Sequence, residues 1–214
     1  LFFESPRNRP ALARVLPNLT PFLLPPHPPQ HHPEVDCGAH LLLCLSQAAR
    51  LAAPPRVRFA VLVHDLGKAT TPVAMLPQHI GHEDRSVRLV HALCDRLRVP
   101  QAHRELAVLV AREHTNVHRG LALRHTTLID LLDRMDAFRR AERFEEILLA
   151  CEIDARGRAG LEDRDYPQAT RLRRAFETAR AVDVAALVAE HGAGPKIKAL
   201  LRDARVAALQ RAGV

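Results

Sequence analysis

His64 and Asp65 stand side by side at the end of the apolar run Phe59-Ala60-Val61-Leu62-Val63, and Leu66-Gly67-Lys68 follows them. An imidazole and a carboxylate at the edge of a buried segment are costly to desolvate unless something cationic engages both. A divalent metal would do so, and it would acidify a water and polarise a phosphoryl oxygen, which is the chemistry of a metal-dependent hydrolase. The competing reading is a neutral histidine and an ion-paired aspartate at a helix end. Further donors are His40 upstream and His79, His82, His114, His118, Asp130, Asp133 and Asp136 downstream. The spacing is not that of a protease zinc helix, because no HExxH occurs. The expected arrangement is a ligand set drawn from several helices of a bundle. Such a mixed nitrogen and oxygen set suits Mn, Fe, Ni, Zn or Mg.

The elements that must position these residues read as helices. Asp36 is a plausible N-cap for a helix to about residue 52, with Leu41-Leu42-Leu43-Cys44-Leu45 buried and His40 one turn inside. A second helix spans about 56–66 and stops at Gly67, read as a left-handed terminator. Residues 68–81 form a polar loop with Pro72 and Pro77. His79-Ile80-Gly81-His82 then places two imidazoles at the mouth of a helix over about 82–98, an end that attracts oxyanions. Further helices are expected at about 101–114, 126–138, 141–156, 168–182, 184–190 and 196–211. Strand-like alternation is nearly absent, so the fold class is all-α. Residues 1–35 carry nine prolines between Pro6 and Pro33 and read as an extended strap, with a short helix over 10–16. Residues 36–140 read as a metal-binding helical domain, and residues 141–214 as a C-terminal helical body.

The composition narrows the partners. With 214 residues, 47% of them apolar, the chain can bury a substantial core. Thirty-one Lys and Arg against 24 Asp and Glu leave a net charge of +7, which suits a phosphate-bearing partner. Aromatic residues are few, with no Trp and the single Tyr166, so base stacking on exposed rings is disfavoured and most Phe are assigned to the core. Cys37, Cys44, Cys94 and Cys151 lie far apart without a CxxC pair and read as reduced, partly buried thiols. No run has the length of a membrane span and no signal-peptide pattern opens the chain, so the cytoplasm is the expected compartment. The chain opens on Leu1, as a piece of a longer polypeptide would.

His40, His64-Asp65 with Leu66-Gly67-Lys68, the Gly81-His82-Glu83 turn and a late Asp resemble the HD-domain metal-dependent phosphohydrolases. Longer stretches resemble the carboxy-terminal part of the bacterial CCA-adding tRNA nucleotidyltransferase family. These are His32-Pro33-Glu34-Val35-Asp36, Gly38, Arg58-Phe59-Ala60, Leu97-Arg98-Val99-Pro100, Asp136-Ala137-Phe138-Arg139-Arg140 and Glu152-Ile153-Asp154-Ala155-Arg156-Gly157-Arg158. The resemblance implies an HD-domain helical bundle with appended C-terminal helices. It also implies a phosphohydrolase acting on 2′,3′-cyclic phosphates and 2′-phosphomonoesters in tRNA 3′-end processing and repair. The metal ligands it implies are His40, His64, Asp65 and Asp136. Some relatives place an acidic residue directly after the counterpart of His114, where this chain has Thr115, so the fourth ligand stays open between the two regions.

The amino-terminal nucleotidyltransferase head of that family is not matched. Asp163-Arg164-Asp165 is the chain's one Asp-x-Asp, and no glycine-rich phosphate turn precedes it, so nucleotide addition is not expected of this polypeptide alone. In the enzyme reading the cofactor is a divalent ion (Ni, Mn, Co or Mg). Lys68 neutralises charge on the phosphoryl oxygens, unless it only caps helix carbonyls. His82 or His114 protonates the leaving oxygen. The alternative is a tRNA-binding module without turnover, gripping the RNA backbone through Arg139, Arg140, Arg156 and Arg158 among the arginines of the C-terminal half. The partners implied are tRNA or 2′- and 2′,3′-cyclic nucleotides, with no membrane and with a homodimer allowed.

Overall fold

The computed structural model describes residues 37–76 and 78–214, together with Arg14. Apart from Arg14, the proline-rich strap with its short helix lies outside the described residues, as does the Asp36 cap. The elements run α1 (Cys37–Arg50), α2 (Pro55–Val63), two 3-10 turns (Leu66–Thr70 and Val73–Met75), α3 (His82–Leu97), α4 (Gln101–His118), α5 (His125–Arg134), α6 (Ala141–Arg156), α7 (Pro167–Arg180), α8 (Val184–His191) and α9 (Ile197–Ala212). No strand occurs among the described residues, as the helical spacing of the sequence requires.

Local chemistry explains most boundaries. Pro55 opens α2, where a missing N–H costs nothing because the first turn has no partner for it. Glu83 and Asp84 sit in the first turn of α3 and Arg96 in its last, each complementing the helix dipole. Arg98 then turns left-handed at φ 51° and closes α3 onto the Asp95 and Cys94 carbonyls, just ahead of Pro100. Asp183 caps α8 by accepting from the Ala186 N–H.

Three boundaries differ from the sequence expectation. α2 ends at Val63, so His64 is its C-cap and Asp65 lies outside the helix at φ −102°, ψ 10°. Gly67 is not a left-handed terminator but part of the first 3-10 turn. Its glycine is required by closeness, since a Cβ there would sit 2.1 Å from the His82 carbonyl oxygen and 2.5 Å from the Ser86 nitrogen. α4 continues past His114 to His118, whereas α5 stops at Arg134 because Asp136 adopts φ 54°.

The described residues form two units. The first takes the residues up to His114 together with Glu146–Arg164, and the second takes Thr115–Glu145 with Asp165–Val214. The first unit buries Leu41, Cys44 and Ala48 of α1, Val57, Ala60, Val61 and Val63 of α2, Val90 and Leu93 of α3, and Ile147, Leu148 and Cys151 of α6. Its Leu66–Thr70 turn packs on α3. The second unit buries Leu128, Leu131 and Leu132 of α5, Leu172 and Phe176 of α7, and Leu209 of α9. Within it Phe176 packs against Phe144 at 5.1 Å and Phe138 at 5.8 Å between ring centroids. Cys44, Cys94 and Cys151 are buried free thiols, as their wide spacing in the sequence suggests. No described helix is long and apolar enough to cross a membrane.

Candidate metal centre

Five elements of the first unit deliver polar side chains to one place. α1 supplies His40, the end of α2 supplies His64 and then Asp65, the first residue of α3 is His82, α4 supplies His114, and α6 supplies Asp154. Each of the four imidazoles is fixed by the same device. His40 Nδ1 lies 2.8 Å from the Gly157 carbonyl oxygen, His64 Nδ1 2.8 Å from that of Val61, His82 Nδ1 3.0 Å from that of His79, and His114 Nδ1 3.0 Å from that of Val110. A carbonyl only accepts, so each Nδ1 carries the proton and each Nε2 turns inward.

The inward nitrogens meet two carboxylates. His40 Nε2 is 2.8 Å from Asp154 Oδ1, while His64 Nε2 is 3.3 Å from Asp65 Oδ2 and 3.6 Å from Asp154 Oδ1. On the other side of Asp65, its Oδ1 is 3.3 Å from His82 Nε2 and 3.5 Å from His114 Nε2, and those two nitrogens are 3.2 Å apart. Lys68 Nζ donates to Asp65 Oδ2 at 2.6 Å. The lysine therefore compensates the carboxylate from the 3-10 turn, a role neither sequence reading assigned to it.

Nitrogen lone pairs and carboxylate oxygens aimed at one another repel unless protons or a cation lie between them. His64 Nε2 and Asp65 Oδ1 are buried and have no hydrogen-bond partner. Burial alone would strip the His64 proton, but the Asp65 and Asp154 carboxylates outweigh it and hold that imidazole well above its ordinary range. Burial would raise Asp65, yet the charge of His64, with the His114 and His82 imidazoles close by, holds its carboxyl well below the usual range. The cluster thus attracts positive charge. Donors about 2.1 Å from one ion lie roughly 3.0–3.4 Å from each other, and the separations here, from 2.8 to 3.6 Å, bracket that range, so the residues fit a divalent cation. His40, His64 and Asp65 form one convergent group, and Asp65, His82 and His114 form another that shares the aspartate.

The structure brings together His40, His64, Asp65, Lys68, His82 and His114 from the sequence-derived set. Asp136 is not part of the first unit. That residue belongs to the second unit, where its Oδ2 accepts from Arg143 at 2.9 Å and its two oxygens lie within 4 Å of Arg139 and Arg140. The acidic side chain that meets the imidazoles in the first unit is Asp154, buried on α6, within Glu152-Ile153-Asp154-Ala155-Arg156. Its signal was an acidic residue on a strongly apolar helix face, beside Cys151 and one turn after Ala150. Thr115 lies next to His114 in sequence but in the second unit.

Two further contacts support the cluster from behind. A Cβ on Gly157 would lie 2.2 Å from Cys44 Sγ and 2.8 Å from its Cα, so only glycine lets that carbonyl reach His40. Burial, with Asp154 and Asp65 nearby, pushes the Cys44 thiol far up, so it stays protonated beside His40. Of the arginines assigned to RNA, Arg139 and Arg140 are exposed, as is Arg158, whereas Arg156 pairs with Glu152 at 2.7 Å and donates to the Arg164 carbonyl.

Comparison with known families adds to this geometry. Residues 38–155, more than half the chain, match the HD domain. The chain is 53% identical over 210 residues to a protein of Thioalkalivibrio sulfidiphilus named multifunctional CCA protein, covering 98% of this chain and 51% of that one. Proteins of the same name from Variovorax paradoxus (52% over 211 residues, 97% and 50% covered) and Nitrosococcus oceani (51% over 211 residues, 99% and 52% covered) match similarly. The chain thus spans about half the length of the curated relatives it matches. No solved structure matches it.

Proposed function

Because this chain belongs to the HD-domain family of metal-dependent phosphohydrolases, we propose that His40, His64, Asp65 and Asp154 hold a divalent cation and that the site cleaves 2′,3′-cyclic phosphodiesters and 2′-phosphomonoesters of nucleotides. The observation that carries this reading is the pair of buried, partnerless atoms His64 Nε2 and Asp65 Oδ1 at the meeting point of five elements. A bound cation supplies charge to the phosphoryl oxygens and acidifies a water.

The chain's own groups do the rest. Four Nδ1–H bonds to backbone carbonyls hold the imidazoles in the tautomer that presents Nε2. Lys68 keeps Asp65 oriented through Oδ2 and balances its charge. His82 and His114 share the space in front of Asp65 Oδ1, and His82 is the more accessible of the two, with 13% side-chain exposure against 5%. In its doubly protonated form His82 gives the Nε2 proton to the ribose oxygen as water adds to phosphorus and the P–O bond breaks, and this leaves the Nδ1–H tautomer that the His79 carbonyl holds. In the relatives, named multifunctional CCA proteins, the corresponding half lies in a longer chain; tRNA 3′ ends bearing such phosphates are accordingly the substrates proposed here.

The test is a phosphatase screen over 2′,3′-cyclic nucleotides and 2′-nucleotides with Ni, Mn, Co and Mg added separately. Turnover is expected only with metal. His64→Ala and Asp65→Ala are expected to lose it at least 10²-fold while remaining folded. Unchanged turnover in either variant would falsify the reading. A second role, gripping the tRNA backbone, is supported by the exposed Arg139, Arg140 and Arg158 and the net charge of +7.

A further inference from the structure

Arg85 lies in the first turn and a half of α3, half-buried, and its guanidinium donates in three directions. Nε reaches the Gly67 carbonyl at 3.0 Å, Nη1 the Ile80 carbonyl at 2.9 Å, and Nη2 the Thr71 hydroxyl at 3.0 Å. Those acceptors mark the beginning, middle and end of the segment that joins Asp65 to His82. The outer part of the segment is open to solvent, with Val73 85% exposed and Ile80 64% exposed. Its first anchor is the Gly67 N–H, which donates to Ser86 Oγ at 2.8 Å on the residue after Arg85.

The contacts continue towards the site. Thr71 Oγ1, accepting from Arg85, is hydrogen-bonded to His79 Nδ1 at 2.7 Å, and the His79 carbonyl accepts from His82 Nδ1 at 3.0 Å. The guanidinium is thus two side chains removed from the hydrogen bond that fixes the His82 tautomer. It also grips the peptide of Gly67, two residues from Asp65. Both partners of the 3.3 Å approach between His82 Nε2 and Asp65 Oδ1 are set by one planar cation.

We infer that Arg85 is a positioning residue for phosphoester cleavage, holding the Gly67–Ile80 segment on the start of α3 so that His82 faces Asp65, without itself touching substrate. The inference rests on the phosphohydrolase reading of the site. An ammonium cannot replace it, because three acceptors are held by a rigid fork that a lysine lacks.

The experiment compares Arg85→Ala and Arg85→Lys with the parent chain in three measurements. Steady-state turnover of a 2′,3′-cyclic nucleotide with Mn or Ni is expected to show kcat down by roughly 10²-fold with KM within about threefold, since misplacement by about an ångström costs that much. Arg85→Lys is expected to stay low, whereas millimolar guanidinium is expected to recover part of the Arg85→Ala rate. Cation affinity by calorimetry is expected to remain within about threefold, because Arg85 touches none of His40, His64 and Asp154. Long-range nitrogen–proton spectra of the metal-free protein are expected to show one His82 tautomer in the parent and a mixture in Arg85→Ala.

Parental kcat in Arg85→Ala, full activity in Arg85→Lys, or a single His82 tautomer in Arg85→Ala would each overturn the inference. If the parent cleaves no phosphoester, the phosphohydrolase reading fails by itself. The tautomer spectra then still decide whether Arg85 positions His82.

Discussion

Asp154 and Asp136 differ in their neighbours more than in their chemistry. Asp154 is buried on α6 with the imidazoles of His40 and His64 at its Oδ1, an arrangement that a cation or shared protons would satisfy. Asp136 already has an arginine, with Arg143 Nη2 at 2.9 Å, and its carboxylate needs no metal. Asp154→Asn is therefore expected to weaken divalent-ion binding by roughly 10–100-fold, and Asp136→Asn to leave it unchanged within about twofold. Titration calorimetry with Mn or Ni on the two variants separates them, and equal affinity in both would remove Asp154 from the proposed ligand set.

The residues that could be read from the sequence were those whose chemistry is local. His64-Asp65 announced itself by placing two polar groups against a run of five apolar ones, and His40, His82 and His114 by their position at or near helix ends. Asp154 could not be separated from Asp136 that way, because which carboxylate reaches the imidazoles depends on how α6 packs on α1 and α2, not on spacing along the chain. The orientation of every ring was likewise hidden, since it is set by carbonyls at residues 61, 79, 110 and 157.

Among the elements, the helices from α1 to α9 follow their apolar periodicity, and the all-α architecture was legible from it. The departures occur where an approach distant in sequence decides. Gly67 reads as a helix stop, but its glycine is needed because the backbone of α3 runs against it. Gly67→Ala is accordingly expected to cost roughly 1–3 kcal/mol, the usual penalty for forcing atoms into a filled space. Urea unfolding would measure it. A variant as stable as the parent would show that the Leu66–Thr70 turn can lift off α3. The same substitution is expected to lower turnover further, because the displaced atoms include the His82 carbonyl.

For the whole molecule, a net charge of +7 is weak evidence about partners until the arginines are sorted by what they already touch. Arg202 binds Asp130 with both arms at 2.7 and 2.8 Å, Arg205 lies 3.6 Å over the Phe138 ring, and Arg171 donates to the Gly120 and Leu123 carbonyls. These hold the second unit together. Arg139, Arg140 and Arg158 remain largely open to solvent and are the ones to test against RNA. Binding of tRNA is expected to weaken linearly in log salt, and Arg139→Ala with Arg140→Ala to reduce that slope by about one for each phosphate no longer neutralised. Filter retention from low to high salt measures it, and an unchanged slope would assign those two arginines to solvent alone.

The close approach of Gly157 to Cys44 has a last consequence. With a backbone atom of one segment of the chain resting directly on the Cα of another, there is no slack for α1 to slide when an ion arrives or leaves. The receptor is built before its guest. Loading should therefore leave the amides of Cys44 and Gly157 as slowly exchanging as they were when empty, and discrimination among ions falls to size and donor geometry instead of to any rearrangement of the scaffold.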